Sequence, residues 1–256
     1  MEPGIVYLVG AGPGDPELIT VKGLNILRQA EVVLYDSLIP FQLLKETKSG
    51  CELIAVGKRS GNHTMVQEKI NSLMLTQARQ GRTVVRLKGG DPFLFGRGSE
   101  EAMFLLKNEI EVRVIPGISS AMAAPLAAGI PLTERTLAGS VTFISASNQN
   151  GELPHAIPQA DTLVFLMVRK NLAKLVHRLL EAGFPVTTNC AIIENGTKPN
   201  QRVLETTLAK LATESAFLKL RGPVLFLVGR CVTRTKELAA IYQYNSITSK
   251  RKSGAL

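Results

Sequence analysis

Short apolar segments rich in β-branched residues alternate with amphipathic segments along the first half of the chain. Each apolar segment is followed by a glycine, a proline or an aspartate. This alternation predicts βαβ units and a parallel sheet. The apolar segments are nearly continuous, as expected for strands that helices cover on both faces. The predicted strands span residues 5–9, 32–35, 53–56, 84–88 and 112–115, and the predicted helices span residues 21–30, 41–46, 66–80, 100–107 and 119–128, with N-caps at Thr20, Thr64 and Ser99.

Glycine, proline and threonine interrupt this rhythm at residues 129–138, and a new strand follows. Further on, a turn at residues 196–200 joins two predicted strands, which indicates a hairpin and therefore a mixed sheet. The predicted strands of this half span residues 141–145, 162–167, 189–193, 202–206 and 224–228, and the predicted helices span residues 172–181 and 208–213.

These patterns predict an α/β fold of two α/β domains. We expect a parallel-sheet N-terminal domain at residues 1–133, a mixed-sheet C-terminal domain at residues 134–245 and a basic, solvated tail at residues 246–256. Ligands usually bind at the carboxyl ends of parallel strands, and two α/β domains joined by a short connector make a cleft. We therefore expect the active site in the cleft between the two domains.

The formal net charge is +9, which fits nucleic acid, an acidic membrane surface or a polyanionic small molecule as a partner. No apolar run approaches the ~20 residues needed to cross a bilayer, and we expect a cytoplasmic protein without a membrane partner. Aromatic residues make up only 5% and tryptophan is absent, so little is available for stacking on nucleic acid bases. The three cysteines lie far apart without a C-x-x-C pair, which predicts neither a disulfide framework nor a metal site.

A glycine-rich turn with the sequence GAGPGD follows the first predicted strand, at residues 10–15. Glycine at a strand end lets a ligand approach the backbone closely, because no Cβ intervenes. One interpretation is a dinucleotide fingerprint with Asp36 as the acid that binds ribose. However, the prolines delay the helix to about Thr20, which places its N-terminus poorly for a pyrophosphate. A purely structural turn is the alternative.

A second turn, GGDPFLFGRG, follows the fourth predicted strand at residues 89–98. Its first glycines expose backbone groups, while Phe93 and Phe95 can supply an apolar wall of the kind that suits a methyl sulfonium. Arg97 and Glu100 lie three residues apart near a helix start and can face each other. That pair is either part of a site or an ordinary ion pair on the surface.

These turns, with the segments around them, resemble the uroporphyrinogen-III C-methyltransferase family of the tetrapyrrole methylase superfamily. GPGDP and the Pro-Gly turn recur across the superfamily, whereas GGDPFLFGRG together with VGKR is specific to the uroporphyrinogen branch. The resemblance implies a homodimer that uses S-adenosyl-L-methionine, without a metal, for two successive methyl transfers to uroporphyrinogen III, giving precorrin-2. The segments that carry it are YLVGAGPGDPELIT, VLYDSL, VGKRSGNHT, VVRLKGGDPFLFGRGSEE, VIPGISSAMAAPLAAGIPLTER and ENGTKPNQRV.

The resemblance also implies which residues form the site. Those implied to bind the cofactor are Pro13, Gly89, Gly90, Asp91, Phe95, Pro116, Ser119, Ser120, Ala121 and Met167. Those implied to act in catalysis are Asp36, Lys58, Arg97 and Glu100, and those implied to bind substrate are Arg59, Arg97 and Arg135. Arginine suits this role because uroporphyrinogen III is a polycarboxylate.

A proton must leave the substrate after methyl transfer, and an arginine equivalent to Arg97 is assigned as the base in the family that the chain resembles. Because the pKa of a guanidinium exceeds about 12, we instead expect Arg97 to anchor carboxylates. Our hypothesis is that Glu100 or a substrate carboxylate accepts the proton.

Three other functions stay open from the sequence. The net charge is compatible with an RNA or protein methyltransferase of the same fold. The first glycine turn with Asp36 is compatible with a nicotinamide-dependent oxidoreductase. The third is a tetrapyrrole-binding protein without activity. It stays open because two motifs common in the family are replaced in this chain: Thr-Gly-His by Ser145-Ala146-Ser147-Asn148, and Tyr-Met-Gly by Leu166-Met167-Val168.

Overall fold

The computed structural model describes residues 2–57, 66–148 and 150–238. Contacts divide the chain into two compact units, Met1–Ser119 and Ser120–Leu256. The division comes before the expected boundary at residues 133 and 134, because the helix at Ser120–Ala127 packs against strands of the second sheet. The predicted basic tail at residues 246–256 lies outside the described residues.

The first unit contains a sheet of five parallel strands in its described residues, which confirms the predicted parallel sheet. The strands are β1 (Val6–Gly10), β2 (Val32–Tyr35), β3 (Glu52–Ala55), β4 (Val84–Lys88) and β5 (Val112–Ile115), arranged in the order β3-β2-β4-β1-β5. The α-helices are α1 (Val21–Gln29), α2 (Phe41–Leu44), α3 (Gln67–Arg79) and α4 (Gly98–Lys107), and a 3-10 turn spans Pro16–Leu18.

Helices cover both faces of this sheet, as the nearly continuous apolar strands predict. Alternate residues of β2 illustrate this, because Val32 and Leu34 pack in one hydrophobic cluster and Val33 packs in the other. Helices α3 and α4 contribute Met74 and Leu105 to the first cluster, and α1 and α2 contribute to the second. Even-numbered positions of β4 therefore face α3 and α4.

The second unit contains a mixed sheet of five strands in its described residues. The strands are β6 (Val141–Ser145), β7 (Thr162–Leu166), β8 (Asn189–Glu194), β9 (Arg202–Thr207) and β10 (Val224–Gly229), arranged in the order β6-β7-β10-β8-β9. Strands β6 and β7 are parallel and the other pairs are antiparallel, including the predicted hairpin of β8 and β9. The helices are α5 (Ser120–Ala127), α6 (Leu172–Glu181), α7 (Leu208–Glu214) and α8 (Thr235–Leu238), with 3-10 turns at Ser215–Phe217 and Arg230–Arg234.

The core of the second unit lies between this sheet and the amphipathic helix α6. The rings of Phe165 and Phe226 stack with their centroids 6.0 Å apart. Helix α6 buries residues at the spacing expected for one helix face, namely Leu172, Leu175, Val176 and Leu179. Within the described part of the chain, no helix is both long and apolar enough to cross a membrane.

One predicted helix cap is confirmed and one is wrong. The hydroxyl of Thr20 accepts a hydrogen bond from the N–H of Gly23 at 3.1 Å and caps α1 as predicted. Helix α4 begins at Gly98, so Ser99 lies within the helix and Arg97 is the N-cap residue. The cause is the N–H of Gly98, which donates to the carbonyl of Pro92 at 2.9 Å and starts the helix early. The predicted cap Thr64 lies outside the described residues.

Candidate active site

Three glycine turns meet through their backbones where the parallel strands of the first unit end. They form the candidate site of this unit. Gly90 N donates to Gly12 O at 2.8 Å and Gly12 N donates to Gly90 O at 3.3 Å, which joins the turns after β1 and β4. A Cβ on Gly117 would come within 2.3 Å of Gly90 O and 2.7 Å of Gly10 Cα. Glycine at these positions therefore permits the close packing of the turns.

Gly89 differs from these glycines, because it has free space beside it. Among the described residues, a Cβ at Gly89 would meet only the Leu38 Cβ, at 3.8 Å. The next residue, Gly90, has a φ of 70°, which a residue with a side chain rarely adopts. The open side of Gly89 is therefore a place at the strand ends where a ligand can approach the backbone.

Asp91 links two of the turns. Its Oδ1 accepts from the N–H groups of Phe93 at 2.8 Å and Leu94 at 3.2 Å, and its Oδ2 accepts from Gly117 N at 3.0 Å. The carboxylate thus fixes the start of the loop after β4 against the turn after β5. The contacts give Asp91 a role in shaping the backbone beside Gly89.

The loop after Asp91 exposes aromatic side chains in an unusual backbone conformation. Phe93 is 57% exposed and Phe95 is 43% exposed. Phe95 and Arg97 have φ values of 54° and 60°, in the left-handed region that costs roughly 1–2 kcal/mol for residues with a side chain. Such strain concentrates at functional sites. The exposed rings are available to a ligand, and the apolar wall stays a prediction.

Arg97 and Glu100 form the predicted ion pair, with Nη2 and Oε2 2.6 Å apart and both side chains more than half exposed. The hydrogen bond from Arg97 lowers the pKa of Glu100, and the same bond raises the pKa of Arg97. Both groups are therefore charged at neutral pH. Neither the guanidinium nor the carboxylate is poised as a strong base in this arrangement.

Asp36, at the end of β2, is held from two directions. Its Oδ1 accepts from Arg86 Nη2 at 2.5 Å and its Oδ2 accepts from Gly89 N at 3.4 Å. Arg86 and the neighbouring Lys88 in turn donate to Glu101, which is fully buried. The sequence motifs did not point to these last three residues, although two basic residues in an otherwise apolar strand were a visible signal.

The structure brings together, at the strand ends of the first unit, most of the residues implied for the site. Pro13 lies half-buried in the first turn, and Pro116 and the buried Ser119 lie in the turn after β5. Lys58 and Arg59 lie outside the described residues.

The remaining implied residues belong to the second unit. Ser120 and Ala121 begin helix α5, and Arg135 is exposed. Met167 follows β7 with a φ of 57° and is 49% exposed. A further feature missed from the sequence is the loop after β8, where Asn195 and Thr197 have φ values of 54° and 67°.

The residues that the structure describes contain no group of three or more His, Cys, Asp or Glu side chains that could hold a metal ion. Cys51, Cys190 and Cys231 are free thiols. Burial raises the pKa of Cys190 to about 12. None of the described cysteines is therefore paired or set among metal ligands.

Comparison with known proteins identifies the family. Residues 5–212 match the family model for Tetrapyrrole (Corrin/Porphyrin) Methylases. The chain belongs to the tetrapyrrole methylase family. The recognition made from the sequence motifs is confirmed.

Among its relatives, the methylase is 47% identical to a uroporphyrinogen-III C-methyltransferase of Methanocaldococcus jannaschii, over 90% of this chain and 97% of the relative. It is 43% identical to an S-adenosyl-L-methionine-dependent uroporphyrinogen III methyltransferase of Methanosarcina barkeri, over 90% of this chain and 92% of the relative. It is 44% identical to a siroheme synthase of Saccharophagus degradans, but spans only 51% of that protein.

The fold agrees with solved structures of the family. Uroporphyrin-III C-methyl transferase from Thermus thermophilus, complexed with S-adenyl homocysteine, superposes with a TM-score of 0.79 at 39% identity, over 90% of this chain and 99% of that structure. A cobalt precorrin-4 methyltransferase superposes with a TM-score of 0.77 at 30% identity, over 89% of this chain and 95% of that structure. The predicted fold of a parallel and a mixed α/β unit is thereby confirmed.

Proposed function

We propose that this methylase transfers two methyl groups in succession from S-adenosyl-L-methionine to uroporphyrinogen III and so forms precorrin-2, for sirohaem, cobalamin or a related tetrapyrrole. The observation that carries the proposal is the open backbone at Gly89, whose N–H donates to the carboxylate of Asp36. The names of two relatives aligned over more than nine tenths of their length support the substrate.

The backbone groups and the aromatic side chain at the strand ends suit the chemistry of the cofactor. Gly89 and Gly90 offer backbone groups without a Cβ in the way, and Phe95 offers an apolar face. When bound, S-adenosyl-L-methionine supplies an electrophilic methyl group on a positively charged sulfur, which aromatic faces stabilise. The other residues proposed to hold it are Pro13, Asp91, Pro116, Ser119, Ser120, Ala121 and Met167.

Arginines provide the proposed recognition of the substrate's carboxylates. Arg97 and Arg135 are exposed, and the proposal adds Arg59. A guanidinium binds a carboxylate through two parallel hydrogen bonds, so several of them fix the orientation of the macrocycle as well as its affinity. Positioning is the main contribution of the protein to methyl transfer, because the carbon and the methyl group must meet in line.

The pKa directions support our hypothesis for proton transfer in one respect. Glu100 raises the pKa of Arg97, so this guanidinium anchors carboxylates and does not act as a base. Glu100 or a substrate carboxylate then takes the proton, with Asp36 and Lys58 proposed to act at the same site. The lowered pKa of Glu100 makes it a weak acceptor while it remains paired with Arg97.

The direct test incubates the purified protein with uroporphyrinogen III and S-adenosyl-L-methionine under reducing, oxygen-free conditions. We expect a product heavier by two methyl groups, with S-adenosylhomocysteine formed in twice the amount of product. Cofactor binding without any gain in mass would overturn the proposal and favour a tetrapyrrole-binding protein without activity. Methylation of RNA but not of the tetrapyrrole would favour the alternative based on net charge.

Two further properties belong to the proposal. We expect a homodimer, as the family resemblance implies, located in the cytoplasm and without a nucleic acid or membrane partner. Light scattering coupled to size-exclusion chromatography tests the dimer, and cell fractionation tests the location. A monomer at micromolar concentration would contradict the first expectation.

A further inference from the structure

Strand β4 carries two cationic side chains in the interior of the first unit. Arg86 and Lys88 are each 3% exposed, although the register partners of Arg86 on the neighbouring strands, Leu8 and Leu34, are apolar. Burying charges is costly, and apolar residues of similar volume are often equally good or better for stability. The stability of the sheet therefore does not account for the charges at these two positions.

The partner of both cations is Glu101, in the first turn of α4, whose side chain is fully buried. Within the described part of the chain, its carboxylate accepts from Arg86 Nε at 3.1 Å, Lys88 Nζ at 2.8 Å and Gln67 Nε2 at 3.0 Å. These donors come from β4 and α3. Glu101 therefore joins the sheet to two helices through one carboxylate.

The guanidinium of Arg86 connects Glu101 with Asp36. Its Nε donates to Glu101, whereas its Nη2 donates to Asp36 Oδ1 at 2.5 Å. The side chain of Arg86 is 4% exposed and that of Asp36 is 31% exposed, so this connection runs from the interior to the open strand ends. Because the guanidinium is planar and rigid, an orientation set at Glu101 is transmitted to Asp36.

The charges in this cluster balance, since two cations face two carboxylates. Burial alone would lower the pKa of Arg86, but the charges of Asp36 and Glu101 raise it above its usual value. Burial also lowers the pKa of Lys88, and the charge of Arg86 adds to that effect. Without Glu101, both cations would compete for Asp36, and that carboxylate would be drawn from its present position.

We propose that Glu101 is a positioning residue for methyl transfer, which holds Asp36 through Arg86 in the orientation that meets the substrate. The inference rests on the proposed function, in which Asp36 acts at the tetrapyrrole. Glu101 itself is buried and does not touch the ligands. Its removal should therefore reduce the rate of the reaction more than the binding of either ligand.

The test is a double-mutant cycle between Glu101→Gln and Asp36→Asn, measured by steady-state and by single-turnover methyl transfer. We expect Glu101→Gln to lower kcat about 10- to 100-fold, the range typical of residues that orient a reacting group. KM for uroporphyrinogen III and Kd for S-adenosylhomocysteine should change less than about threefold. In the Asp36→Asn background, the same substitution should have no further effect on the rate, because the group that it orients is already lost.

The control variant is Leu105→Ala, one helical turn further along α4 in the hydrophobic core. It should lower the urea midpoint at least as much as Glu101→Gln but keep kcat near the wild-type value. If the Glu101→Gln protein does not fold, Arg86→Lys takes its place in the cycle, because lysine keeps the charge but lacks the rigid planar fork that spans Glu101 and Asp36.

Unchanged kcat in Glu101→Gln, or rate effects that multiply independently in the double variant, would overturn the inference. Full turnover by Asp36→Asn would overturn it as well, while leaving the methyltransferase proposal intact. Only an inactive wild-type protein would overturn the proposed function itself. The two failures are therefore distinguishable.

Discussion

Substituting Gly89 by alanine should separate ligand binding from folding. Among the described residues, the added Cβ would meet only Leu38 Cβ, at 3.8 Å, which is an ordinary contact distance. Gly89 is not among the glycines with positive φ, so alanine adopts its backbone conformation without strain. We therefore expect a folding free energy unchanged or improved by about 0.4–1 kcal/mol, because alanine restricts the unfolded chain.

The same methyl group occupies the space that we assign to the cofactor. Forcing one extra carbon into a packed contact costs about 1–3 kcal/mol. This corresponds to an increase of about 5- to 150-fold in Kd. Isothermal titration with S-adenosylhomocysteine measures that loss, and urea denaturation followed by circular dichroism measures the stability. An unchanged Kd in a folded Gly89→Ala protein would refute the placement of the cofactor at this backbone.

Gly117→Ala is the matched control, because it introduces the same methyl group in a neighbouring turn that has no room. Its Cβ would come within 2.3 Å of Gly90 O, which the backbone can relieve only by moving the turns apart. We expect this variant to lose stability as well as affinity. Only Gly89→Ala should lose affinity alone.

Three other measurements test the contacts of individual side chains. Arg97→Lys should weaken substrate binding and slow turnover because it loses the planar fork, whereas Glu100→Gln should keep substrate binding but lower kcat. Steady-state kinetics distinguish the two variants. Full turnover in Glu100→Gln would disprove the role of Glu100 as proton acceptor. Cys190, whose pKa burial raises to about 12, should resist iodoacetamide at pH 8 in the folded protein and react on unfolding, as mass spectrometry can follow. Burial alone would raise the pKa of Glu194, but hydrogen bonds from Gly222 N and Arg202 lower it, so its contribution to stability is present at neutral pH and lost as the pH falls through the folded-state pKa. Urea midpoints should accordingly show Glu194→Gln less stable than wild type at pH 7, with the difference shrinking below about pH 4.

Most of the strands could be predicted from the sequence because their signals are local. The predicted limits of β2, β4 and β5 agree with the structure, since each is a mainly apolar segment rich in β-branched residues and is followed by an aspartate, a glycine or a proline. The start of α4 could not be predicted from its own residues. It depends on the carbonyl of Pro92, six residues earlier in the chain, which accepts from Gly98 N and begins the helix before the expected cap.

Part of the candidate site could likewise be predicted from the sequence, and part could not. The glycine turns were recognisable because glycine directly after a strand marks a backbone that turns sharply or that another group approaches closely. The difference between Gly89 and Gly117 was not recognisable, since it depends on which turn lies opposite each glycine in space. The Arg86–Glu101 contact joins residues fifteen positions apart, and it requires both the register of β4 and the docking of α4.

The adjacent carboxylates Glu100 and Glu101 show how this docking gives two like side chains different surroundings. They share a residue type, a helix turn and nearly the same local sequence, yet Glu100 is exposed and pairs with Arg97, while Glu101 is fully buried between two cations. One helical step of about 100° separates their directions, so a helix docked on the sheet must send one carboxylate inward and the other outward. Because Glu101 cannot leave without depriving two buried cations of the partner they share, the orientation of α4 is fixed, and with it the place where Arg97 and Glu100 emerge. The buried cluster thus positions the exposed pair as well as Asp36.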